Sequence, residues 1–198
     1  MTPDNVHNAK LIKSLFDKYF EAPLEVWSDF ARHMVKNSFK KNETIKAEFK
    51  TERYIHLIIS GSVGVFLWEN DKTRCLDLFL ENDFCTDYMS FLSKEPSPLR
   101  TMALEETEVI SISRSNVEEL YYDSITGLQI VRSAAESLFI HKQQQQIELL
   151  TMTAEDRYQK MMKENPEMIS RIPGKHLASY LGIAPESMSR IRKKYQNQ

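Results

Sequence analysis

The sequence predicts an α+β protein in which an N-terminal antiparallel β-roll, jelly-roll-like in its strand spacing, is flanked by helices. Three observations support this class. Apolar residues recur at helical spacing over the first forty residues, alternate in short runs over residues 39–113, and return to helical spacing from residue 115 onward. We therefore expect the roll within residues 39–113, then a long helix, and then a C-terminal helical domain.

The length of the chain allows two domains, and the positive charge is concentrated at its C-terminal end. The 198 residues, 41% of them hydrophobic, suit one large or two small domains. The net charge is −2, but residues 171–198 hold six basic residues and one acidic residue, so that segment carries +5 and the remainder −7. A basic segment on a mildly acidic body indicates a nucleic-acid footprint, although a solvated basic tail fits the charge equally well.

Hydropathy and cysteine content indicate a cytoplasmic protein without a membrane partner. No run approaches the ~20 apolar residues of a membrane helix, and no signal-like segment is present. Cys75 and Cys85 lie in apolar, strand-like sequence, so we expect buried structural thiols rather than a redox pair. Two thiolates cannot hold an iron–sulfur cluster, and we expect neither a metal nor a cofactor.

Periodicity places the first helices and the strands. It predicts two N-terminal helices, with Pro23 in the first turn of the second. Turn signals such as Ser60-Gly61 and Glu69-Asn70-Asp71 separate the alternating runs that predict strands. The helical positions are Leu11, Leu15, Tyr19, Leu24, Trp27, Ala31 and Met34, and the strand positions are Ile45, Ala47, Phe49, Ile55, Leu57, Ile59, Val63, Val65, Leu67, Leu76, Leu78, Leu80, Val109, Ile110 and Ile112.

Two capping boxes are predicted after the roll, each opening a helix: Ser115 with Glu118, and Thr153 with Asp156. Between them, the spacing predicts a long helix over residues 126–152 that carries an apolar heptad seam. Such a seam is typical of a parallel coiled coil between two subunits, but it also suits a helix lying on its own barrel.

A second apolar stripe lies beside the seam, and a helix that is apolar on two sides must contact two surfaces. We expect one stripe to face the barrel and the other a partner subunit, with Lys142 and Gln145 as polar seam residues that fix the register. The predicted dimer seam is Leu128, Val131, Ala135, Leu138, Lys142, Gln145, Leu149 and Met152, and the second stripe is Phe139, Ile140, Ile147 and Leu150.

Residues 174–194, GKHLASYLGIAPESMSRIRKK, have the spacing of a helix-turn-helix. Two short helices that cross steeply need a small residue at the crossing and a residue tolerant of positive φ in the turn, which Ala178 and Gly182 supply. Pro185 suits the first turn of the second helix. An ordinary helical hairpin is the alternative, but this segment is also the basic one, so we favour DNA binding. The apolar packing positions are Leu177, Leu181, Ile183, Met188 and Ile191.

The second of these helices is predicted to present a charged face to double-stranded DNA. When its apolar residues point inward, Glu186, Arg190 and Lys193 point outward. An Arg can bind guanine bidentately and a Glu can accept from cytosine, whereas lysines position a protein on phosphates. The predicted DNA-binding residues are Lys175, Glu186, Ser187, Ser189, Arg190, Arg192, Lys193 and Lys194, with His176 as a further phosphate contact.

In the order and spacing of these motifs, the chain resembles the Crp/Fnr family of transcription regulators over nearly its whole length. The most family-like pieces are YIHLIISGSVGVF (54–66), LTMTAEDRYQKMM (150–162) and the 174–194 segment. The resemblance implies a homodimeric, sequence-specific regulator in which Glu186 and Arg190 read bases, and it leaves RNA polymerase open as a further partner. The domains it implies are a cyclic nucleotide-binding-like sensor over 1–122, a dimerisation helix over 123–152 and a helix-turn-helix domain over 153–198.

The chain departs from the family pattern at the effector site. DFCTDYMSF (83–91) and PSPLR (96–100) lack the Gly-Glu and Arg-Ser pairs of cyclic nucleotide-binding members. Asp87, Tyr88 and Arg100 form the predicted effector pocket, but a cyclic nucleotide is disfavoured because no well-placed Arg remains for its phosphate. The effector is therefore unknown or absent.

Two further departures concern the DNA end. Pro185 replaces a base-reading Arg common in the family, so we expect a different preferred DNA sequence. The chain stops at Gln198 without a full wing, from which we expect a shallow salt dependence.

No catalytic constellation is evident, so we expect a protein that is not an enzyme. The sequence shows no nucleophile triad, phosphate loop or paired catalytic carboxylates. His56 is the one histidine of the barrel region, which argues against a cupin-type metal site. The alternative function is a small-molecule-binding module, of cyclic-nucleotide-like type, with no DNA role.

Overall fold

A computed structural model of the chain describes residues 3–69, 72–122 and 124–196. The predicted turn at Asn70-Asp71 lies outside the described residues, as do Asp123 and Gln198 at the ends of two predicted domains. The helices are α1 Pro3–Phe16, α2 Leu24–Arg32, α3 Tyr88–Ser93, α4 Arg114–Tyr122, α5 Ile125–Thr151, α6 Ala154–Glu164, α7 Pro166–Arg171, α8 Gly174–Tyr180 and α9 Pro185–Gln196. The strands are β1 Met34–Phe39, β2 Thr44–Lys46, β3 Tyr54–Ser60, β4 Val63–Glu69, β5 Lys72–Phe79, β6 Phe84–Cys85, β7 Leu99–Ala103 and β8 Thr107–Ser113.

Two antiparallel four-stranded sheets form the predicted β-roll, which confirms the fold class. Their strand orders are β1-β8-β3-β6 and β2-β7-β4-β5. Ile58, Val63, Cys85 and Val109 are buried together in one core cluster of the roll. Both cysteines are free and buried, and burial raises the pKa of each thiol far above its usual range. This is the inert, structural environment expected for them.

Strand boundaries differ from the sequence pattern at β1 and β2. Met34, predicted as a helical position, begins β1, where it pairs with Ile112 of β8. The alternation predicted over residues 45–49 holds at Ile45, which packs against the core cluster of the roll, but is wrong at Phe49, which is exposed at a positive φ of 58°. Lys46, between the predicted inward positions, is buried as well.

Two further features of the strands are not predicted by an alternation with a period of two. β7 was not predicted from the alternation, although it pairs with both β2 and β4. In β5 a register shift against β4 leaves Leu76 without an opposite residue, so Leu76 is exposed while Cys75 and Leu78 are buried. A bulge of this kind moves every later side chain to the other face.

The helix caps agree with the sequence at one of the two predicted boxes. Thr153 and Asp156 form the reciprocal capping box of α6. The box at Ser115 is wrong: α4 starts one residue earlier, and the Asn116 amide donates to the Ser113 hydroxyl at 3.2 Å. Pro23 lies just before α2 rather than in its first turn.

The long helix α5 binds its own barrel through the residues predicted to fix a dimer register. Lys142 Nζ lies 2.5 Å from Asp77 of β5, and the Gln145 side-chain amide donates to the same carboxylate at 3.0 Å. Lys142 and Gln145 thus bind a carboxylate of their own chain, and their place in a subunit seam stays a prediction. All four residues of the second stripe, Phe139, Ile140, Ile147 and Leu150, are exposed, as are Leu128 and Leu149 of the predicted seam.

The C-terminal helices share a hydrophobic core with the barrel. Phe66 and Leu78 of the barrel belong to the same buried cluster as Leu177 and Met188 of α8 and α9. The Ser179 hydroxyl of α8 also accepts from the Cys75 amide of β5 at 2.9 Å. The helix pair is thereby fixed on the edge of the second sheet.

Arg171, at the end of α7, ties the C-terminal helices to two barrel loops. Its guanidinium donates to both carboxylate oxygens of Glu81, at 2.6 and 2.7 Å, and to Glu105 at 2.8 Å. The hydrogen bond from Arg171 lowers the pKa of Glu81 from 4.5 to about 2. Bidentate charge-assisted bonds of this kind are among the strongest polar contacts in proteins.

We predict that this pair makes stability depend on acid pH. A carboxylate with a depressed folded-state pKa stabilises the fold above its unfolded pKa of 4.5 and loses that contribution as the pH falls toward about 2. Urea unfolding between pH 5 and pH 2 should therefore show a loss of up to roughly 3 kcal/mol from this group.

The matched control is Glu81→Gln, whose unfolding free energy should be lower at pH 7 and flatter in acid. Arg100 similarly lowers the pKa of Glu48 to about 2, so the difference between the two proteins, not the wild-type curve alone, isolates Glu81. Parallel curves for the two proteins would contradict the assignment.

Candidate functional site

The α8–α9 pair has the geometry predicted for a helix-turn-helix. Leu177, Ala178 and Met188 are buried where the helices meet. Gly182 occupies the turn at a positive φ of 68°, and the amide of the following Ile183 donates to the Ala178 carbonyl at 3.0 Å. The turn therefore has the tight, left-handed form that glycine adopts without strain.

One face of α9 is exposed and charged. Pro185 begins the helix, and Glu186, Ser189, Arg190 and Lys193 are all exposed. Lys175, near the start of α8, is exposed as well. These side chains stand on the side opposite Met188, so the residues predicted to read bases are free to approach a duplex.

Three of the predicted contact residues, by contrast, are less accessible or bound within the chain. The Arg192 guanidinium donates to the Ile169 carbonyl at 2.9 Å, and Lys194 forms an ion pair with Glu155 at 2.5 Å. Ser187 is half-buried. Because a guanidinium has five N–H donors and an ammonium three, Arg192 and Lys194 keep further donors for a phosphate beside these partners.

His176 is not placed for a phosphate contact. Its ring meets Phe66 of the barrel edge to face, with centroids 5.0 Å apart. Burial, together with the neighbouring Lys175, lowers the pKa of His176, so the neutral ring is favoured at pH 7. The contact between His176 and Phe66 helps to hold α8 against the barrel.

The predicted effector pocket is filled by the protein's own side chains around Asp87. Asp87 is buried and caps α3 by accepting from the Ser90 amide at 3.2 Å. Lys46 Nζ lies 2.7 Å from the other carboxylate oxygen and also donates to Ser97 Oγ at 2.8 Å and to the Leu99 carbonyl at 2.9 Å. Ser97 donates to Asp87 in turn. The buried charge pair is thus fully hydrogen-bonded, which is the condition for tolerating it in an interior.

Arg100 is held away from Asp87 by a different carboxylate. Its guanidinium forms two bonds with Glu48, at 2.7 and 2.6 Å, and stacks on Trp68 with 4.7 Å to the ring centroid. Tyr88 stacks on Phe91, and burial raises the pKa of its hydroxyl. The structure therefore does not gather Asp87, Tyr88 and Arg100 around a shared opening.

The partners that fill this region were missed from the sequence. Lys46 and Glu48 lie far from Asp87 and Arg100 in the chain, whereas Ser97 is ten residues from Asp87. Nothing local distinguishes these three residues from solvated polar residues. The one available signal was a lysine at the centre of a short apolar run, Ile45-Lys46-Ala47. In such a short run, the alternation does not determine whether the lysine or its two neighbours point into the barrel.

The comparisons with known proteins agree with this architecture. Residues 36–124 match the sequence model of the cyclic nucleotide-binding domain. That segment is therefore similar to cyclic nucleotide-binding domains. Within this segment, the residues predicted to bind an effector, Asp87, Tyr88 and Arg100, each contact other side chains of the barrel.

Solved structures with the same fold extend the likeness beyond that domain. FixK2 from Bradyrhizobium japonicum aligns with a TM-score of 0.69 at 20% identity, over 83% of this chain and 85% of its own. CLP, the c-di-GMP responsive global regulator of Xanthomonas campestris, aligns with a TM-score of 0.67 at 18% identity, over 88% and 92%. The catabolite activator protein of Thermus thermophilus aligns with 0.58 at 19% identity, over 92% and 86%.

These three proteins are Crp/Fnr family transcription regulators, so the resemblance seen in the sequence is confirmed for the fold. Comparison with curated protein sequences gave no significant match. Within the described ranges, no helix is both long and apolar enough to cross a membrane, and no cluster of three or more His, Cys, Asp or Glu side chains could hold a metal ion.

We predict that Lys46→Met will destabilise the fold by about 3–5 kcal/mol, because it leaves the buried Asp87 carboxylate without its counter-charge. Urea unfolding at pH 7 measures the effect. The matched control is the double variant Lys46→Met with Asp87→Asn, in which a neutral amide still caps α3. Its loss should be distinctly smaller than that of the single variant, and an equal or greater loss would contradict the role given to the charge pair.

Proposed function

We propose that this chain is a sequence-specific, homodimeric DNA-binding transcription regulator whose barrel needs no cyclic nucleotide. In this proposal, residues 1–122 form a sensor-type domain, 123–152 the dimerisation helix and 153–198 the DNA-binding domain. The observation that carries it is the exposed charged face of α9, described above, on a helix anchored from behind by Met188.

The exposed face of α9 has the chemistry to read a major groove. Arg190 can bind guanine O6 and N7, Glu186 can accept from cytosine N4, and Ser189 lies between them on the same face. Lys193 and Lys175 are exposed cations suited to the phosphates on either side. Base contacts and phosphate contacts therefore come from separate residues, which makes the two roles separable by mutation.

Dimerisation is assigned to the exposed stripe of α5 rather than to the whole predicted seam. Lys142 and Gln145 are engaged with Asp77, whereas Phe139, Ile140, Ile147 and Leu150 are exposed. An exposed apolar stripe of this size on a soluble protein marks an interaction surface. Pairing two copies along α5 would set two α9 helices about one DNA turn apart, ~34 Å, as two-fold half-sites require.

The barrel supports a regulator that works without a cyclic nucleotide. The cation nearest the cap of α3, Lys46, already neutralises Asp87, and Arg100 already neutralises Glu48. An incoming phosphate would find no unpaired cation among these residues. Contact with RNA polymerase stays a prediction from the family resemblance.

The experiment that tests the proposal is selection of bound DNA from a random pool, with no nucleotide added. We expect a two-fold symmetric consensus. Loss of any sequence preference, with the protein folded, would favour the small-molecule module without a DNA role.

Two substitutions in α9 should then give different results on the selected site. Arg190→Ala should weaken binding by about 1–3 kcal/mol and relax the preference at one base pair. Lys193→Ala should weaken binding to all sequences alike and lower the salt-dependence slope by about 1. Fluorescence anisotropy at several salt concentrations measures both effects.

The matched control is Lys10→Ala, which removes an exposed cation from α1, at the other end of the chain. Its binding should equal that of the wild type. An Arg190→Ala protein that keeps full affinity and an unchanged consensus would remove α9 from the interface.

We further predict that Leu150→Glu will convert the dimer to a monomer at micromolar concentration. Leu150 is 80% exposed, so a charge there should disrupt a subunit contact without disturbing the fold. Sedimentation velocity measures the change. Leu92→Glu on α3, at a residue 60% exposed, is the matched control and should remain dimeric. Sedimentation of the wild-type protein as a monomer would contradict the proposed two-fold geometry.

A further inference from the structure

A cleft unrelated to the barrel site opens between α2, α4 and the start of α5. Its volume is about 450 Å³, which lies in the range of small-molecule sites. Its walls are mainly apolar and come from all three helices: Val26, Trp27, Phe30, Leu120, Ile130 and Val131.

One of the residues that line this cleft, Trp27, has an unsatisfied polar group. Trp27 is fully buried, and its indole N–H has no hydrogen-bond partner among the described residues. Buried donors are almost always paired in folded proteins, so an unpaired one needs an explanation. A carbonyl on an occupant that parts the walls slightly would supply the missing acceptor.

The polar groups at the rim argue against an anionic occupant. Asp29 and Glu119 contribute carboxylates, and both lie among the lining residues. Asp29 is paired with Arg32 at 2.6 Å, and the Ser124 hydroxyl is used to cap α5 by accepting from the Gly127 amide at 2.9 Å. No Lys or Arg is among the described residues that line the cleft, and Nδ1 of His33, which also lines it, is hydrogen-bonded to the Asp29 carbonyl at 2.8 Å. An anion would therefore meet carboxylates rather than an unpaired Lys or Arg.

The spacing of α4 and α5 beneath the cleft is fixed by close backbone contact. A Cβ added at Gly127 would lie 2.3 Å from the Leu120 carbonyl oxygen, so only glycine allows this approach. α5, which has 27 residues in all, continues from this contact to Thr151, and α6 begins at Ala154. An occupant wedged against Ile130 and Val131 would thus act on the helix that joins the barrel to the DNA-binding end.

We propose that the cleft between α2, α4 and α5 binds an uncharged, largely apolar small molecule bearing a carbonyl group, with Trp27 as its hydrogen-bond donor. The binding itself stands on the cleft alone, whereas its use as an effector site rests on the proposed DNA-binding function. This would give the regulator a ligand site outside the barrel.

The test uses 2-octanone as the probe and the indole N–H signals of the full-length protein in ¹H–¹⁵N NMR spectra. The chain has two tryptophans, Trp27 and Trp68, and a Trp68→Phe variant assigns the signals. We expect a saturable downfield shift of the Trp27 signal with a Kd of about 0.1–1 mM, and no change in the Trp68 signal.

Two filling variants and one matched probe make the outcome decisive. Val131→Phe on α5 and Val117→Phe on α4 each place a ring in the cleft and should weaken 2-octanone binding by about tenfold or more. Octanoate, which has the same chain length but carries a charge, should leave the Trp27 signal in place. No shift with 2-octanone, an equal shift with octanoate, or undiminished binding by both folded filling variants would each overturn the proposal. Because no DNA is present, these results are independent of the DNA-binding experiment.

Discussion

The orientation of α9 depends on one constraint, the hydrophobic core that the C-terminal helices share with the barrel. Leu177, Ala178 and Met188 pack in the same cluster as Phe66 and Leu78. A helix pair this short cannot bury enough surface to fold alone, because domains below about 40 residues lack a sufficient core. Seating α8 on β5 supplies the missing surface, and the exposed face of α9 follows from it.

Polar contacts fix the position of the C-terminal helices and of α5 on the barrel, which apolar packing alone would not specify. The Arg171–Glu81 pair, the Ser179 contact to Cys75 and the Gln145 bond to Asp77 surround the shared core on different sides. Directional bonds specify one arrangement where apolar contacts accept several. The same logic applies within the barrel, where Lys46 and Asp87 would each be costly alone and are tolerated as a hydrogen-bonded pair.

Sequence periodicity predicted the elements whose pattern is long or chemically strict. The 27-residue α5, the Thr153 capping box and the turn at Gly182 were all expected, because each depends on residues close together in the chain. The inward lysine of β2 was not, since its partners come from residues 87, 97 and 99. Short strands hold too few residues for a period of two to outweigh one buried ion pair.

The seam of α5 shows a second limit, because two apolar stripes on one helix do not say which neighbour each meets. The sequence favoured the regular heptad for a partner subunit. In the structure, Asp77, which lies beside a bulge in β5, binds the two polar seam residues Lys142 and Gln145 to the barrel. Bulges have no reliable signature in a single sequence, so this part of the candidate site required coordinates.

These contacts make α5 the element through which distant sites in this protein can influence each other. Its start forms one wall of the cleft, its inner face binds the barrel, its outer face is the exposed stripe, and its end leads into the capping box of α6. A ligand shifts such a system only by the difference between its affinities for two arrangements of the helix. The close contact between Gly127 and the Leu120 carbonyl resists sliding of α5 against α4 and leaves a joint tilt of these two helices relative to α2 as the motion that the proposed ligand would use. Trp27 belongs to α2 and Ile130 to α5, and both line the cleft. Such a tilt would therefore change the distance between these two walls of the cleft directly.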